Sequence, residues 1–160
     1  MTLADRIAVL SAGHTMQYAS PRDIYNTPAA LFVAGFTGSP PMNLVPCTVQ
    51  DGRAHLGAGA AFEIPAALAG RAQGTSKLVF GIRPENISLS PADGLVALPA
   101  QVVLSEPLGA ETLVTFQAGE VELVARCAAS FSLTPGTPLT IYLDPAQMHL
   151  FDASTGVALR

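Results

Sequence analysis

Leu44-Val-Pro-Cys-Thr-Val-Gln-Asp-Gly-Arg-Ala-His-Leu56 is the stretch that decides the class of fold. Two short runs, Leu44 to Gln50 and Arg53 to Leu56, flank Asp51-Gly52, a residue pair suited to the positive φ angles of a two-residue hairpin turn. Outward from this hairpin the same texture recurs. Lys77-Leu-Val-Phe-Gly-Ile82 reads as a strand that ends at Arg83-Pro84. Leu98 to Leu104, Thr112 to Gln117 and Val121 to Cys127 alternate well. In the last of these, Val121, Leu123, Ala125 and Cys127 share one face while Glu122 and Arg126 take the other. Leu139 to Leu143 and Met148 to Phe151 close the series, with turns at Gly119 and Pro135-Gly136. Seven or eight short strands at regular spacing predict a mainly β architecture, a small barrel or sandwich. Gly57 to Gly74 is rich in Ala and Gly and offers one helical turn, at Pro65 to Ala69.

The first forty-odd residues have a different texture. Arg6 to Leu10 is a short apolar run after a charged pair, suited to a strand, and Ser11-Ala-Gly13 turns it back on Thr15 to Tyr18. Ser20 is placed to cap a short helix with Pro21 at its first position, and Asn26-Thr27-Pro28 stops that helix. A second helix is expected over Ala29 to Phe36. Gly38-Ser-Pro-Pro41 suits neither helix nor central strand and reads as an extended linker.

Composition excludes several classes of function. The chain has 160 residues, 49% hydrophobic and 12% charged, with a net charge of −4. That balance argues against disorder and against a phosphate-backbone binder, so no nucleic-acid partner is expected. Trp is absent and the Phe residues are scattered, which disfavours a base-stacking platform. The single lysine, Lys77, follows Ser76 and precedes Leu78, so these residues hold no P-loop. Cys47 and Cys127 stand eighty residues apart and read as small apolar residues rather than a disulfide. His14, His55 and His149 lie in separate segments with no ligand spacing, so no metal is expected; His149 reads as a surface residue on a strand. The carboxylates are single, and neither a nucleophile elbow nor a Cys–His pair is present. No signal-like or membrane-spanning run is seen, and the chain reads as intracellular.

Taken together, the residues resemble a known family. Met1-Thr-Leu-Ala-Asp-Arg-Ile-Ala-Val-Leu10, Gly13, Gln17, Pro21, Ile24-Tyr25, Pro28, Phe32-Val-Ala-Gly-Phe36, Gly38-Ser39-Pro40 and Met42-Asn43 resemble the end of the nucleotide-binding domain of a carbohydrate-class ABC importer ATP-binding subunit. Gly81-Ile-Arg-Pro-Glu-Asn86, Leu108-Gly109-Ala110-Glu111 and Met148-His-Leu-Phe-Asp152 with Thr155-Gly156 resemble its C-terminal regulatory part. That part is an oligonucleotide-binding-fold-like barrel of TOBE type. Asn43-Leu-Val and His149-Leu-Phe-Asp152 look most like maltose or glycerol-3-phosphate importers. Ala19 stands where the family usually has glycine, and His14 where it often has a basic residue in a solvent-facing turn.

The resemblance implies residues 1–38 as a remnant of the nucleotide-binding domain and 39–160 as a β-rich regulatory and dimerising module. It implies no catalytic, cofactor or metal site here, with ATP and Mg²⁺ belonging to a longer parent subunit. The implied partners are a second copy, the membrane-spanning permease subunits reached through the ATPase domain, and a cytoplasmic regulatory protein; the implied location is the inner face of the cell membrane. Candidate dimer or regulatory residues are Phe36, Ser39, Met42, Asn43, Arg83, Pro84, Glu85, Leu108, Gly109 and Glu111. Against these stand blander readings: Arg83 and Glu85 as an exposed turn-stabilising pair, Gly109 as a positive-φ turn residue, and Phe32 and Phe36 as packing residues. The alternative function is a small-ligand module for an oxyanion or sugar, with Ser76, Lys77 and Arg83 as donors. Without an ATPase core, residues 1–36 are expected to be disordered, folded against the barrel, or exchanged with a second copy.

Overall fold

The structure is a computed structural model that describes residues 4–57, 59–72 and 77–159. The chain opens with a hairpin of β1 (Ile7–Ser11) and β2 (His14–Ala19). The Ser20 hydroxyl accepts from the Asp23 N–H at 3.1 Å and so caps α1 (Pro21–Asn26), as the sequence predicts. Gln17 ties the hairpin to the exit of α1, donating to the Thr27 carbonyl at 3.0 Å and accepting from the Ala29 N–H at 2.7 Å.

The second helix, α2 (Leu31–Phe36), begins two residues later than expected. Ala29 and Ala30 favour helix, but here they are taken by the C-terminal end of the chain. The Ala158 N–H donates to the Ala29 carbonyl at 2.9 Å, and the Leu31 N–H donates to the Gly156 carbonyl at 2.8 Å. Asp152 shapes the turn that presents these groups: its carboxylate accepts from the Ser154 hydroxyl and from the Ser154 and Thr155 N–H groups. Those bonds favour the charged form and hold its pKa down to about 2. Of the three fates expected for residues 1–36, the described residues 4–36 show docking against the β module; residues 1–3 lie outside the described residues. The expected extended linker at Gly38 to Pro41 is instead a closed turn, because Gly and Pro permit a turn as readily as they forbid regular structure.

Beyond that turn run β3 (Asn43–Gln50), β4 (Arg53–Leu56) and β5 (Ala61–Glu63). Asp51 (φ 51°) and Gly52 (φ 73°) make the predicted hairpin turn. Helix α3 (Ala66–Ala72) is longer than the single turn expected, in keeping with its alanine content. Then come β6 (Lys77–Ile82), β7 (Ile87–Ser88), β8 (Val96–Pro107), β9 (Glu111–Ala118) and β10 (Val121–Ala128). Strands β11 (Pro138–Leu143), β12 (His149–Asp152) and β13 (Ala158–Leu159) complete the chain. All pairings are antiparallel, in a six-stranded sheet ordered β13-β12-β6-β3-β4-β5 and a five-stranded sheet ordered β10-β9-β8-β11-β7. The architecture is mainly β and contains a nearly closed five-strand barrel.

The main core lies between the two sheets, where Phe80, Leu98, Phe116, Leu123, Ile141 and Leu150 are at most 1% exposed. Each such side chain contributes about 1.5–3 kcal/mol by leaving water. Val9, Ile24, Ala30 and Val33 form a separate small cluster under the hairpin. A third, of Ala34, Met42 and Phe151, joins α2 to β12. Gly81 keeps that junction open: a Cβ there would lie 2.6 Å from Met42 Sδ and 3.0 Å from Phe151 Cε2. Gly81→Ala is therefore expected to destabilise the chain by about 1–3 kcal/mol through overpacking. A denaturant midpoint equal to the parent's would refute this.

Candidate functional site

Arg83 follows the last residue of β6, and the Pro84 ring then starts a single 3-10 turn over Pro84–Asn86. The chain direction at this stop sends the guanidinium inward, toward α1 and α2. Its Nη1 donates to the Thr37 carbonyl at 2.5 Å and the Ala34 carbonyl at 3.4 Å. Its Nη2 donates to the Tyr25 carbonyl at 2.6 Å and to Thr37 Oγ1 at 3.2 Å. The guanidinium carbon sits 4.0 Å from the centre of the Tyr25 ring. Arg83 is 3% exposed, so it is an internal clasp and not the exposed partner of Glu85. Burial lowers its pKa, against the raising influence of Tyr25 and Glu85. Glu85 bonds elsewhere, accepting from the Tyr25 hydroxyl at 2.5 Å. Burial first, then that bond to Glu85, raises the Tyr25 pKa.

A second tie runs through Asn43. Its amide nitrogen donates to the Val124 carbonyl at 2.9 Å and the Ile82 carbonyl at 3.2 Å, while its oxygen accepts from the Val124 N–H at 2.7 Å. One side chain thus supplies both partners of a β10 edge residue and joins the two sheets.

Arg126 is the residue that sequence reading missed. It was placed on the polar face of β10, and nothing local in the sequence announces its partners. Its Nη2 donates to the Ser39 carbonyl at 2.7 Å, and its Nε lies 3.1 Å from Glu111 Oε2. Ser39 and Glu111, far apart in sequence, are brought together by this one arginine. The Leu108 N–H donates to the Glu111 carbonyl at 2.8 Å, closing a turn in which Gly109 has φ 89°.

The candidate residues thus divide by exposure. Met42, Arg83 and Pro84 are buried inside the chain, and Asn43 is half-buried. Phe36 and Leu108 are 70% and 58% exposed. Ser39, Glu85 and Gly109 are also on the surface, and Glu111 is half-buried. Phe36 stacks on Phe32 with ring centres 5.8 Å apart, and both rings face outward rather than into the core. A bulge between Val102 and Leu104 in β8 turns Val103 and Leu104 outward as well, each above 40% exposed.

Two open grooves accompany these features. One of about 440 Å³, beside β7 and the end of β10, includes Glu85, Ser88, Arg126, Phe131 and Asp144 in its lining. Another of about 470 Å³ includes Cys47, His55 and Lys77. Both cysteines are free thiols, and burial pushes that of Cys47 up to about 11. His149, on β12 as expected, is partly exposed and lies beside Phe151. Of the three donors of the oxyanion reading, Arg83 is already committed to carbonyl oxygens, and Ser76 lies outside the described residues. Among the described residues no three His, Cys, Asp or Glu side chains are grouped to hold a metal, and no helix is long and apolar enough to cross a membrane.

Comparison with known proteins defines the class. A MalK OB fold domain model matches residues 38–87, and a TOBE domain model matches residues 80–151. The chain thus carries MalK-type OB-fold and TOBE domains, and its homologues are ATP-binding subunits of ABC importers for sugars and glycerol 3-phosphate. It is 40% identical over 160 residues to the sulfoquinovosyl glycerol transport ATP-binding protein SmoE of Agrobacterium fabrum, covering 97% of this chain and 44% of that protein. It is 40% identical over 157 residues to the sn-glycerol-3-phosphate import ATP-binding protein UgpC of Escherichia coli K12, covering 98% and 44%. With the multiple sugar-binding transport ATP-binding protein MsmK of Streptococcus mutans it shares 36% over 178 residues, covering 100% and 47%. The chain thus spans less than half the length of these relatives. Among solved structures, the cytoplasmic molybdate-binding protein ModG with molybdate bound superposes with a TM-score of 0.52 at 17% identity, over 68% of this chain and 94% of that one. That likeness concerns the fold alone.

Proposed function

We propose that the chain is the regulatory and dimerising segment of the ATP-binding subunit of an ABC importer for a sugar or glycerol 3-phosphate. The observation that carries this reading is its alignment, over nearly its whole length, with subunits of that kind. Residues 1–38 are the end of the nucleotide-binding domain, consistent with their own small apolar cluster, and residues 39–160 are the regulatory module. ATP, Mg²⁺ and the contact with membrane-spanning permease subunits belong to the rest of the longer subunit, at the cytoplasmic face of the membrane. A cytoplasmic regulatory protein is a further partner of the same module.

The module pairs with a second copy through the Leu108–Glu111 turn and the neighbouring outward side chains Val103 and Leu104. A twofold contact of this kind places the same apolar strip on both partners. With 12% charged residues the chain has few ionic groups to oppose such a contact. Sedimentation equilibrium of the purified chain is expected to give a dimer, and Leu108→Asp to weaken it at least about tenfold, as loss of a central apolar anchor does. A strict monomer at high micromolar concentration, or a Leu108→Asp dimer as tight as the parent's, would overturn the dimer contact.

A further inference from the structure

We infer that the Thr37–Ser39 backbone is a joint gripped by two arginines, so that the seating of α1 and α2 sets the position of the Leu108–Glu111 turn. The coupling stands on geometry; its regulatory meaning rests on the dimer reading above.

The grip is short and two-sided. Arg83, at the end of β6, holds the Thr37 carbonyl at 2.5 Å, and Arg126, on β10, holds the Ser39 carbonyl at 2.7 Å. Only Gly38 separates the two acceptors. Gly38 has φ 103°, and a Cβ there would lie 2.9 Å from the Pro40 carbonyl oxygen, 3.2 Å from Arg83 Nη1 and 3.2 Å from Tyr25 Cε2. The joint is packed on every side that a side chain would occupy, so neither carbonyl has room to move independently of the other.

Each arginine continues to a different part of the molecule. Arg83 also holds the Tyr25 and Ala34 carbonyls, one from each helix. Arg126 also pairs with Glu111, whose carbonyl closes the turn by accepting from the Leu108 N–H. The connected order is α1 and α2, Arg83, Thr37 to Ser39, Arg126, Glu111, Leu108. Asn43 reinforces the far half, since Val124, which it holds by both backbone groups, lies two residues before Arg126 on the same strand. The competing view is that Arg126 and Glu111, each about one-third exposed, form an ordinary surface pair that transmits nothing.

Amide hydrogen exchange on the 160-residue chain separates the two views. Arg126→Gln is expected to speed exchange of the Leu108 amide. Arg83→Lys keeps the charge but loses the fork, and is expected to speed exchange of the Thr27, Ala34 and Thr37 amides and also, by about fivefold or more, that of Leu108. In the Arg126→Gln background, Arg83→Lys adds nothing further at Leu108. Gly38→Ala, which strains the joint while leaving both arginines in place, is expected to loosen both ends together. Exchange at Phe116, deep in the barrel, serves as the control for global unfolding. If Arg83→Lys or Gly38→Ala loosens residues 20–39 while Leu108 exchange holds its parental rate, or if the two arginine effects simply add at Leu108, the joint is refuted. Sedimentation of the same samples keeps the proposals apart: a monomer showing coupled exchange supports the joint and removes the dimer contact.

Discussion

Replacing Arg83 with methionine is expected to destabilise the chain by about 3 kcal/mol, the lower end of the cost of removing one partner from a buried charged network. At about 2–4 °C per kcal/mol for a chain of this size, the melting temperature falls by roughly 6–12 °C. Methionine fills much of the volume of the arginine stem, so the loss isolates the polar contacts. Two carbonyls held by the guanidinium, those of Tyr25 and Thr37, would be left facing an apolar thioether. The Ala34 carbonyl suffers less, because it also accepts from the Met42 N–H at 3.4 Å. The damage should be local first, since Arg83 binds α1 and α2 to a barrel whose own core it does not enter. Limited proteolysis is expected to cut the variant between residues 36 and 42 while the barrel resists. Arg83→Lys should fall between parent and methionine, since one ammonium replaces a fork that reaches three carbonyls. A methionine variant as stable as the parent, and as resistant to protease, would mean that an apolar isostere suffices and the clasp is not what docks the helices.

The β architecture was legible because its signals are local. Asp51-Gly52 requires only two backbone angles, and the alternation from Val121 to Cys127 requires only the period of a strand. The helix cap at Ser20 is equally local. The errors arose where distant residues decided the outcome. Ala29 and Ala30 have helical propensity, yet the turn organised by Asp152 supplies the partners that pull them into extended pairing. The composition of Gly38 to Pro41 excludes regular structure and so suggests a linker, but composition does not reveal two arginines bonded to the carbonyls of Thr37 and Ser39. Arg83 itself was legible only as the end of a strand. Its acceptors lie 46 and 58 residues earlier in the chain, a separation over which no periodicity carries information. Arg126 had the weakest signal of all, a charged residue on the polar side of an alternating strand. The family resemblance drew attention to the Phe36–Asn43 and Leu108–Glu111 stretches separately; what joins them became visible only in three dimensions.

The second large effect is expected at Asn43. Its three hydrogen bonds serve three backbone groups, of Ile82 and Val124, and alanine can replace none of them. Both Val124 groups point out from the edge of β10, away from β9, where no neighbouring strand supplies partners. Because the site is half-buried, water recovers part of the loss, and Asn43→Ala is expected to cost about 2 kcal/mol, or roughly 4–8 °C in melting temperature. The Val124 amide should then exchange faster than its neighbour Leu123, whose side chain is fully buried. Asn43→Asp is the sharper probe. An ionised carboxylate still accepts from the Val124 N–H, but it turns a second acceptor oxygen toward the Ile82 and Val124 carbonyls. It should therefore be no more stable than alanine at neutral pH, despite matching asparagine in size. If the aspartate variant instead melts with the parent, the Val124 N–H bond alone carries the tie and the two donated bonds contribute nothing. If the alanine variant melts with the parent, packing between the sheets is sufficient and the Asn43 stitch does not stabilise the barrel.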